Sequence, residues 1–453
     1  MSTTAVGTPP PAPDPAQLLR NRSYVAMLVM GAVIGAPVAA VAYFFLKGVA
    51  EAEHWVFSTL PGDLGFSATP NWWPLLPLPV AGVLVALSLR YLPGTGGHRP
   101  AEGFKASGPV SPGDLPGIAV ASLLTLCLGV VLGPEAPLIA IGSGLGVLAI
   151  HLFKRDAPAQ AVGVIAAAGS FAAISTLLGS PIVGAFLLME VSGIGGPMLG
   201  VVLVPGLLAA GVGTLIFIGL DNWTGYGTFS LAIPNIPSFT TPTLKEFLWA
   251  LVIGVAGALV GTVIRRSALA MQQVVEQRKV VLMPVVGLGI GVMAVIYGGF
   301  TDHTFSDVLF SGQSALPGLI EHAAGYTAGA LVLLVICKGV GYALALSCFR
   351  GGPVFPGMFI GAAGGIALSH LPGLPMIAGA AMGIGAVSVV MLGLPLTSVL
   401  LPAVLLSSDG ITLAPLVIVA VVVAYVASAR LAPAPEKESA PADTPPGRTV
   451  AAT

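Results

Sequence analysis

The segment Gly133-Pro134-Glu135-Ala136-Pro137 places one carboxylate in a long uncharged stretch, because residues 115–134 and 136–150 contain no charged side chain. A carboxylate at the centre of a membrane helix costs about 2.5 kcal/mol or more and usually faces protein or water. The prolines and the glycine interrupt any helix here, so a new helix is expected to begin at about Ala136. Its free N–H groups and its positive dipole end favour an anion. The segment therefore places a titratable acid, Glu135, beside a position suited to an anion. The alternative is a proline kink in which Glu135 packs against a neighbouring polar group.

A second candidate site is the loop Gly94-Thr95-Gly96-Gly97-His98, which lies between two apolar segments. Its glycines allow the backbone to approach an ion closely, and Thr95 supplies a hydroxyl donor. We therefore take Gly94, Thr95 and Gly96 as candidate anion-binding residues. The alternative is a simple surface turn, since a short glycine-rich loop is a weak signal.

The segment around Glu135 has a counterpart in the second half of the chain. Gly352-Pro353-Val354-Phe355-Pro356 repeats the pattern G-P-x-x-P, so Gly133, Pro137, Gly352 and Pro356 are interpreted as structural breaks. A second pair of breaks follows in the same order, L-G-S-P-I at residues 178–182 and L-G-L-P-L at residues 392–396. Paired broken helices in corresponding positions of two halves indicate a binding site near the membrane midplane. This pattern favours transport, although breaks of this kind also recur in any glycine-rich membrane protein.

The composition fixes the class of protein that must position these residues. Only 8% of the 453 residues are charged, whereas roughly 25% is usual in soluble proteins, so we predict an all-α polytopic membrane protein. The net charge of −1 gives no reason to expect a nucleic-acid partner. The three cysteines lie in apolar stretches, which predicts neither a disulfide framework nor a metal site. The chain contains no H-E-x-x-H pair and no convincing nucleophile with a histidine partner, so neither an enzyme nor a cofactor is expected.

The uncharged runs and the polar connections divide the chain into two halves. Arg20 and Arg22 precede the first span and predict a cytoplasmic N-terminus. Runs such as residues 157–189 exceed one span of roughly 20 residues and are expected to be broken helices. The predicted boundaries are a disordered N-terminus at 1–22, a first transmembrane repeat at 23–225, a connecting loop at 226–243, a second repeat at 244–430 and a disordered C-terminal tail at 431–453.

Taken together, these motifs resemble the CLC family of chloride channels and chloride/proton antiporters over roughly the whole membrane part of the chain. That family carries a G-S-G-I-P loop, a G-(K/R)-E-G-P segment and a G-x-F-x-P segment in this order. The corresponding residues here are Gly94-Thr95-Gly96-Gly97-His98, Gly133-Pro134-Glu135-Ala136-Pro137 and Gly352-Pro353-Val354-Phe355-Pro356. No single motif matches fully, but their order and spacing carry the resemblance.

The resemblance implies a fold of inverted-topology repeats with re-entrant helices, and a multi-pass homodimer in the cell membrane. It also implies that Glu135 is a gate that occupies an anion site when ionised and leaves it when protonated. By the same match, Thr95 replaces a selectivity serine, and N–H groups near Ala136, Val354 and Phe355 line the anion path.

The sequence departs from the family at positions that bear on proton coupling. Proton-coupled members commonly carry an inner glutamate where this chain has Val191, and Glu190 lies one residue earlier. The chloride-binding tyrosine near the C-terminus has no match. We therefore predict chloride transport, with chloride/proton exchange gated by Glu135 favoured. An uncoupled voltage- or pH-gated chloride channel is the first alternative, and a secondary transporter of another inorganic or organic anion is the second.

Overall fold

The computed structural model describes residues 20–104, 108–193, 197–225, 233, 239 and 241–431. Residues 1–19 of the predicted N-terminal segment, most of the predicted connecting loop and residues 432–453 of the predicted tail lie outside these ranges. The described residues form helices and short turns, and the one β-type pairing among them joins Gly133 to Gly352. The prediction of an all-α membrane fold with broken helices is confirmed.

Seven helices form the first half of the chain. They are α1 Arg22–His54, α2 Pro77–Tyr91, α3 Leu115–Cys127, α4 Glu135–Phe153, α5 Ala159–Leu178, α6 Pro181–Ser192 and α7 Pro197–Thr224. Helix α1 continues through a π-helical turn, Trp55–Thr59, into Leu60–Asp63. Helix α4 begins at Glu135, one residue before the predicted start at Ala136, so the carboxylate belongs to the first residue of the helix.

Eight helices form the second half. They are α8 Leu244–Gln277, α9 Lys279–Phe300, α10 Ala315–Glu321, α11 Ala328–Cys348, α12 Val354–Ser369, α13 Met376–Leu392, α14 Pro395–Leu405 and α15 Gly410–Leu431. The described residues contain nine helical segments that are long and apolar enough to cross a membrane. The chain is a multi-pass membrane protein.

The two halves break their helices at matched positions. Gly179 and Gly393 take left-handed backbone angles, with φ of 60° and 71°, and end α5 and α13. Pro181 and Pro395 then start the next helices, where a missing N–H is tolerated. The runs that were too long for one span are therefore broken into two helices each, as the sequence predicted, and α5, with 20 residues, is itself long enough to cross a membrane.

Close helix pairs also recur in both halves. A Cβ atom at Gly142 would overlap the backbone of Gly169 across α4 and α5. A Cβ atom at Gly361 would likewise overlap the backbone of Gly383 across α12 and α13. Small residues at these crossings therefore let the helix backbones approach each other closely.

The basic residues define the two ends of the helices. Arg278 and Lys279 connect α8 to α9, and we call this end of the helices the inner end. The opposite end of α9 contacts the loop before α2, where the Asn71 amide donates to the Val295 carbonyl at 3.0 Å. We call that end the outer end. An excess of Lys and Arg marks the cytoplasmic side of membrane proteins, so the inner end is expected to face the cytoplasm.

Candidate anion site at the paired helix breaks

Buried charges single out the functional region. Among the described residues, four charged side chains are buried: Glu135, Glu246, Lys338 and Arg350. Glu246 caps the start of α8 by accepting the N–H of Thr243 and is explained as a helix cap. Of the other three, Glu135 lies on the broken helix α4, Lys338 on α11, and Arg350 in the segment that leads into α12. Buried charges are costly unless they are compensated, so each needs an explanation.

The two breaks with the pattern G-P-x-x-P pair with each other. The Gly133 N–H donates to the Gly352 carbonyl at 2.8 Å, and the Gly352 N–H donates to the Gly133 carbonyl at 2.6 Å. The pairing is antiparallel, as expected for two copies of one motif in opposite orientations. A Cβ atom at either glycine would overlap the Glu135 carboxylate, which explains why glycine is needed at both positions.

Glu135 is completely buried, with 0% of its surface exposed. Its Oε1 atom accepts the backbone N–H of Phe355 at 2.8 Å, in the first turn of α12. Its Oε2 atom has no hydrogen-bond partner among the described residues. The carboxylate therefore occupies the kind of position at a helix N-terminus that binds an anion, and only one of its oxygens is held there.

The second break supplies this helix start. Val354 and Phe355 are buried and open α12 directly after Pro353, which has no N–H to offer an anion. The Pro353 carbonyl accepts the hydroxyl of the buried Tyr342 at 2.8 Å. Tyr342 therefore positions the break, a role that the sequence analysis did not assign to it.

Glu135 lies between two cavities. A cavity of about 850 Å³ at the outer end reaches Pro134, and its lining includes Glu53, His54 and His303. A second cavity, of about 280 Å³, reaches Ala136, and its lining includes His98. We call it the inner cavity. Pro134 and Ala136, the two chain neighbours of Glu135, therefore line different cavities.

The inner cavity has a mostly apolar lining with a few polar groups. These are His98, Ser143, Ser170 and Ser192. Val191 also contributes to the lining, and no acidic side chain does so among the described residues.

The loop of Thr95 lies at the inner end and takes an unusual backbone conformation. Gly94, Thr95 and Gly96 all have positive φ angles, of 83°, 47° and 72°, which is uncommon for a threonine. The Thr95 side chain is exposed, and its backbone carbonyl accepts the Arg350 Nε–H at 3.2 Å. None of the described hydrogen bonds joins this loop to Glu135 directly. The structure therefore brings Thr95 to Arg350, a residue that the sequence analysis did not select.

Arg350 precedes Gly351 and Gly352 and is 6% exposed. Its Nη1 atom donates to the carbonyls of Cys348 and Phe349, both at 3.1 Å, at the end of α11. The signal in the sequence that could have identified Arg350 is a single cation next to a predicted helix break.

Lys338 is the third buried charge, and it anchors a loop at the outer end. Its ammonium donates to the backbone carbonyls of Asp307, Val308, Leu309 and Phe310 at 2.8–3.4 Å. It also lies 4.5 Å from the centre of the Phe359 ring on α12. These contacts tie α12 to the wall of the outer cavity.

The carboxyl of Asp307 lies in this loop, outside the spanning helices. Burial raises its pKa above the ordinary value, and the Tyr326 hydroxyl and the charge of Lys338 oppose that shift. The Tyr326 hydroxyl donates to Asp307 Oδ2 at 3.2 Å.

Glu190 is placed differently from Glu135. Its Oε1 atom accepts the Leu396 N–H at 2.8 Å, and its Oε2 atom accepts the Thr397 N–H and hydroxyl, both at 2.7 Å. Glu190 thus caps the start of α14.

Comparison with known proteins gives one family. Residues 81–429 match the family described as "Voltage gated chloride channel". Similar curated sequences include "Putative ion-transport protein YfeO" of Escherichia coli O7:K1, which is 28% identical over 360 residues, covering 79% of this chain and 82% of that protein. The protein of the same name from Salmonella choleraesuis is 29% identical over 365 residues, covering 79% and 84%.

Solved structures show the same fold. One is a slow cyanobacterial Cl⁻/H⁺ antiporter, with a TM-score of 0.74 and 20% identity over 89% of this chain and 94% of that chain. Another is a CLC-type fluoride/proton antiporter, with a TM-score of 0.67 and 21% identity over 89% and 95%. These identities are low, so the likeness concerns the fold.

Proposed function

The chain belongs to the voltage-gated chloride channel family, and from this premise we propose that it exchanges chloride for protons, with Glu135 as the shared gate. Transmembrane anion transport of the CLC type follows from the family. Chloride as the ion, coupling to protons and the role of Glu135 are the proposed steps. The observation that carries them is a buried carboxylate on the start of α12, with one unpartnered oxygen, between two cavities.

Charge explains how one residue links the two ions. An ionised Glu135 is itself the anion at the start of α12, so a chloride ion cannot share this low-dielectric position with it. Protonation removes the charge and weakens the hydrogen bond from the Phe355 N–H. The side chain then leaves, and chloride takes its place. Proton and chloride occupancy are therefore linked at one site.

The other candidate residues receive roles that are also proposals. The N–H groups near Ala136, Val354 and Phe355 would receive chloride after the carboxylate leaves. Gly94, Thr95 and Gly96 would receive chloride at the inner end, where Thr95 offers an exposed hydroxyl. A homodimer in the cell membrane, with repeats at 23–225 and 244–430, is proposed from the resemblance to the family.

A specific observation favours the alternative of an uncoupled chloride channel. Exchange needs a route for protons between Glu135 and the inner end. Glu190 has both oxygens engaged at the start of α14, and Val191 contributes an aliphatic side chain to the inner cavity. The described lining of this cavity contains one histidine, His98, and no carboxylate. A third candidate, transport of another anion, would use the same helix N-terminus.

The test is simultaneous measurement of chloride and proton flux from liposomes that contain the purified protein under a chloride gradient. We expect uphill proton movement in the wild type, and its loss with continued chloride flux in Glu135→Gln. Glu51→Gln is the matched control, because it makes the same change at an exposed carboxylate of α1.

Each outcome decides one part of the proposal. Proton coupling that survives in Glu135→Gln would remove Glu135 from the mechanism. Chloride flux without proton movement in the wild type would identify an uncoupled channel, and flux of another anion without chloride flux would identify the third candidate.

A further inference from the structure

Three helices, α2, α8 and α9, leave an open groove of about 530 Å³ between them at the inner end. Its lining includes Arg90, Glu276, Arg278, Lys279, Val280 and Val281, and we call it the basic groove. None of these residues belongs to the candidate anion site at the paired breaks, so the groove needs a separate explanation.

Helix packing brings the two sides of the basic groove together. Cβ atoms at Gly82 and Gly287 would overlap the backbone of the opposite helix, at Met283 and Leu78 respectively. The order of these contacts makes α2 and α9 antiparallel, so the last turn of α2 lies beside the first turn of α9. Both helices therefore contribute side chains to one fixed space.

The charges of the basic groove do not balance. Its described lining carries three cations, Arg90, Arg278 and Lys279, against the one carboxylate of Glu276. Glu276 is already engaged, because it pairs with Lys279 at 3.6 Å and with Arg99 at 2.9 Å. Arg90 and Arg278 are exposed, and their side chains form no ion pair or hydrogen bond with the described residues. The groove thus keeps an excess of two positive charges on guanidinium groups that are open to a ligand.

The surroundings of these charges place the basic groove at the level of lipid headgroups. Val280 and Val281 are 39% and 66% exposed and begin the apolar span of α9. The Tyr91 side chain is 71% exposed, and its ring centre lies 5.5 Å from the Arg90 guanidinium carbon. Tyrosine and basic residues together are typical of the membrane–water interface on the cytoplasmic side. A ligand in the groove therefore meets cations on one side and exposed apolar side chains on the other.

We propose that the basic groove binds an anionic phospholipid such as phosphatidylglycerol, with its phosphate held by Arg90 and Arg278 and its acyl chains along Val280 and Val281. Arginine pairs well with phosphate because its planar fork donates two parallel hydrogen bonds. Basic pockets between transmembrane helices at the cytoplasmic side suit anionic headgroups. Free phosphate would use the arginines but would leave the exposed valines without a partner, which favours the lipid. This inference does not depend on which ion the protein transports.

Native mass spectrometry of the detergent-solubilised full chain tests the proposal by titration with phosphatidylglycerol or with zwitterionic phosphatidylcholine. We expect the first bound phosphatidylglycerol to be held about fivefold or more tightly than phosphatidylcholine. Arg90→Gln/Arg278→Gln should raise the dissociation constant for phosphatidylglycerol by about tenfold or more, since each basic residue near an anionic lipid contributes about fivefold. The value for phosphatidylcholine should stay unchanged.

The matched control is Lys154→Gln/Arg155→Gln, which removes two exposed positive charges from the loop between α4 and α5, outside the basic groove. It should change the dissociation constant for phosphatidylglycerol by less than about twofold. Thermal unfolding gives a second readout, because a lipid that binds the folded protein raises its unfolding temperature. Phosphatidylglycerol should therefore raise this temperature more in the wild type than in Arg90→Gln/Arg278→Gln.

Three results would overturn the inference. The first is equal affinity of the wild type for the two lipids, which needs no variant. The second is an unchanged dissociation constant for phosphatidylglycerol in Arg90→Gln/Arg278→Gln. The third is displacement of phosphatidylglycerol by an equal concentration of inorganic phosphate, which would make free phosphate the ligand. None of these measurements uses ion flux, so failure of the proposed transport function would leave them unaffected.

Discussion

Two glutamates of the first half each accept hydrogen bonds at the start of a helix of the second half, and they do so in different ways. Glu190 engages both oxygens with three donors of Leu396 and Thr397, and it is only partly buried. Glu135 is fully buried but engages one oxygen with one donor, the Phe355 N–H. A carboxylate therefore meets a helix N-terminus twice: both oxygens of Glu190 accept hydrogen bonds, whereas only one oxygen of Glu135 does so.

The two carboxylates differ in the number of hydrogen-bond donors that hold them, and this number distinguishes a structural helix cap from a side chain that another anion could displace. Hydrogen bonds to a charged group contribute roughly 1.5–3 kcal/mol each, so three of them fix Glu190 in place. Glu135 has one hydrogen bond of this kind, from the Phe355 N–H, and burial opposes its charge. In the proposed mechanism, an anion from solution therefore competes with Glu135 but not with Glu190.

The largest effect is expected from Gly352→Ala, which tests the difference between the two glutamates by forcing the Glu135 carboxylate away from the start of α12. The new Cβ atom would overlap Glu135 Oε2, so the carboxylate could not remain on the start of α12. We expect chloride flux to lose its dependence on pH, as in a protein without the gate. The crowding should also lower the free energy of unfolding by about 1–3 kcal/mol.

The control for this substitution is Gly364→Ala, in the helix α12 that follows the break, where the nearest atom to a new Cβ is 3.9 Å away. It should leave flux and its pH dependence unchanged. If Gly352→Ala folds and keeps the pH dependence of the wild type, Glu135 does not need its observed position to act as a gate.

A smaller effect, on stability, is expected from Glu190→Ala. Loss of a carboxylate that caps α14 with three hydrogen bonds should lower the free energy of unfolding by about 1–3 kcal/mol. Glu135→Ala should change it less, because that substitution removes a buried carboxylate with an unpartnered oxygen. Thermal unfolding in detergent compares the two variants, with the exposed Glu321→Ala as control.

Flux measurements complete this comparison. Chloride flux per folded Glu190→Ala protein should stay within about twofold of the wild type, since the hydrogen bonds of Glu190 go to the start of α14 and not to the start of α12. Loss of proton coupling in a stable Glu190→Ala protein would make Glu190 part of the proton route and would reverse the assignment of the two glutamates.

Local chemistry explains what the sequence could predict. Glycine and proline interrupt helices through their own backbone properties, so the breaks at Gly133, Gly179, Gly352 and Gly393 were readable from single segments. A lone carboxylate in an uncharged run likewise marked Glu135. The start of α4 differed by one residue, because such boundaries depend on the local hydrogen bonds.

Hydrogen bonds between residues far apart in the sequence could not be predicted in this way. The hydrogen bond from Arg350 to Thr95 joins residues 255 positions apart, and the cap of α14 by Glu190 joins residues 206 positions apart. Glu190 was noted only for lying beside the position of a missing acid, and nothing in its neighbours indicated that both oxygens are engaged. Burial and pairing of charges depend on the assembled fold, which a single segment does not contain.

The smallest effect is expected from Tyr342→Phe, which tests whether the hydrogen bond that positions the second break, at Gly352–Pro356, contributes to the difference between the two glutamates. The Tyr342 hydroxyl donates to the Pro353 carbonyl at 2.8 Å, and the side chain is fully buried. Phenylalanine keeps the shape but leaves the carbonyl unpaired, so the free energy of unfolding should fall by about 1 kcal/mol. Thermal unfolding measures this loss, and Tyr91→Phe, at a 71% exposed side chain, is the control.

The same variant asks whether the break must be held rigidly for gating. The Phe355 N–H that holds Glu135 lies two residues after Pro353 and is not itself altered. If a fixed helix start is sufficient, the pH dependence of chloride flux should remain that of the wild type in Tyr342→Phe. A shifted pH dependence without lost stability would mean that Tyr342 acts on the gate itself, and the difference between Glu135 and Glu190 would then depend on the second break as well as on the number of donors.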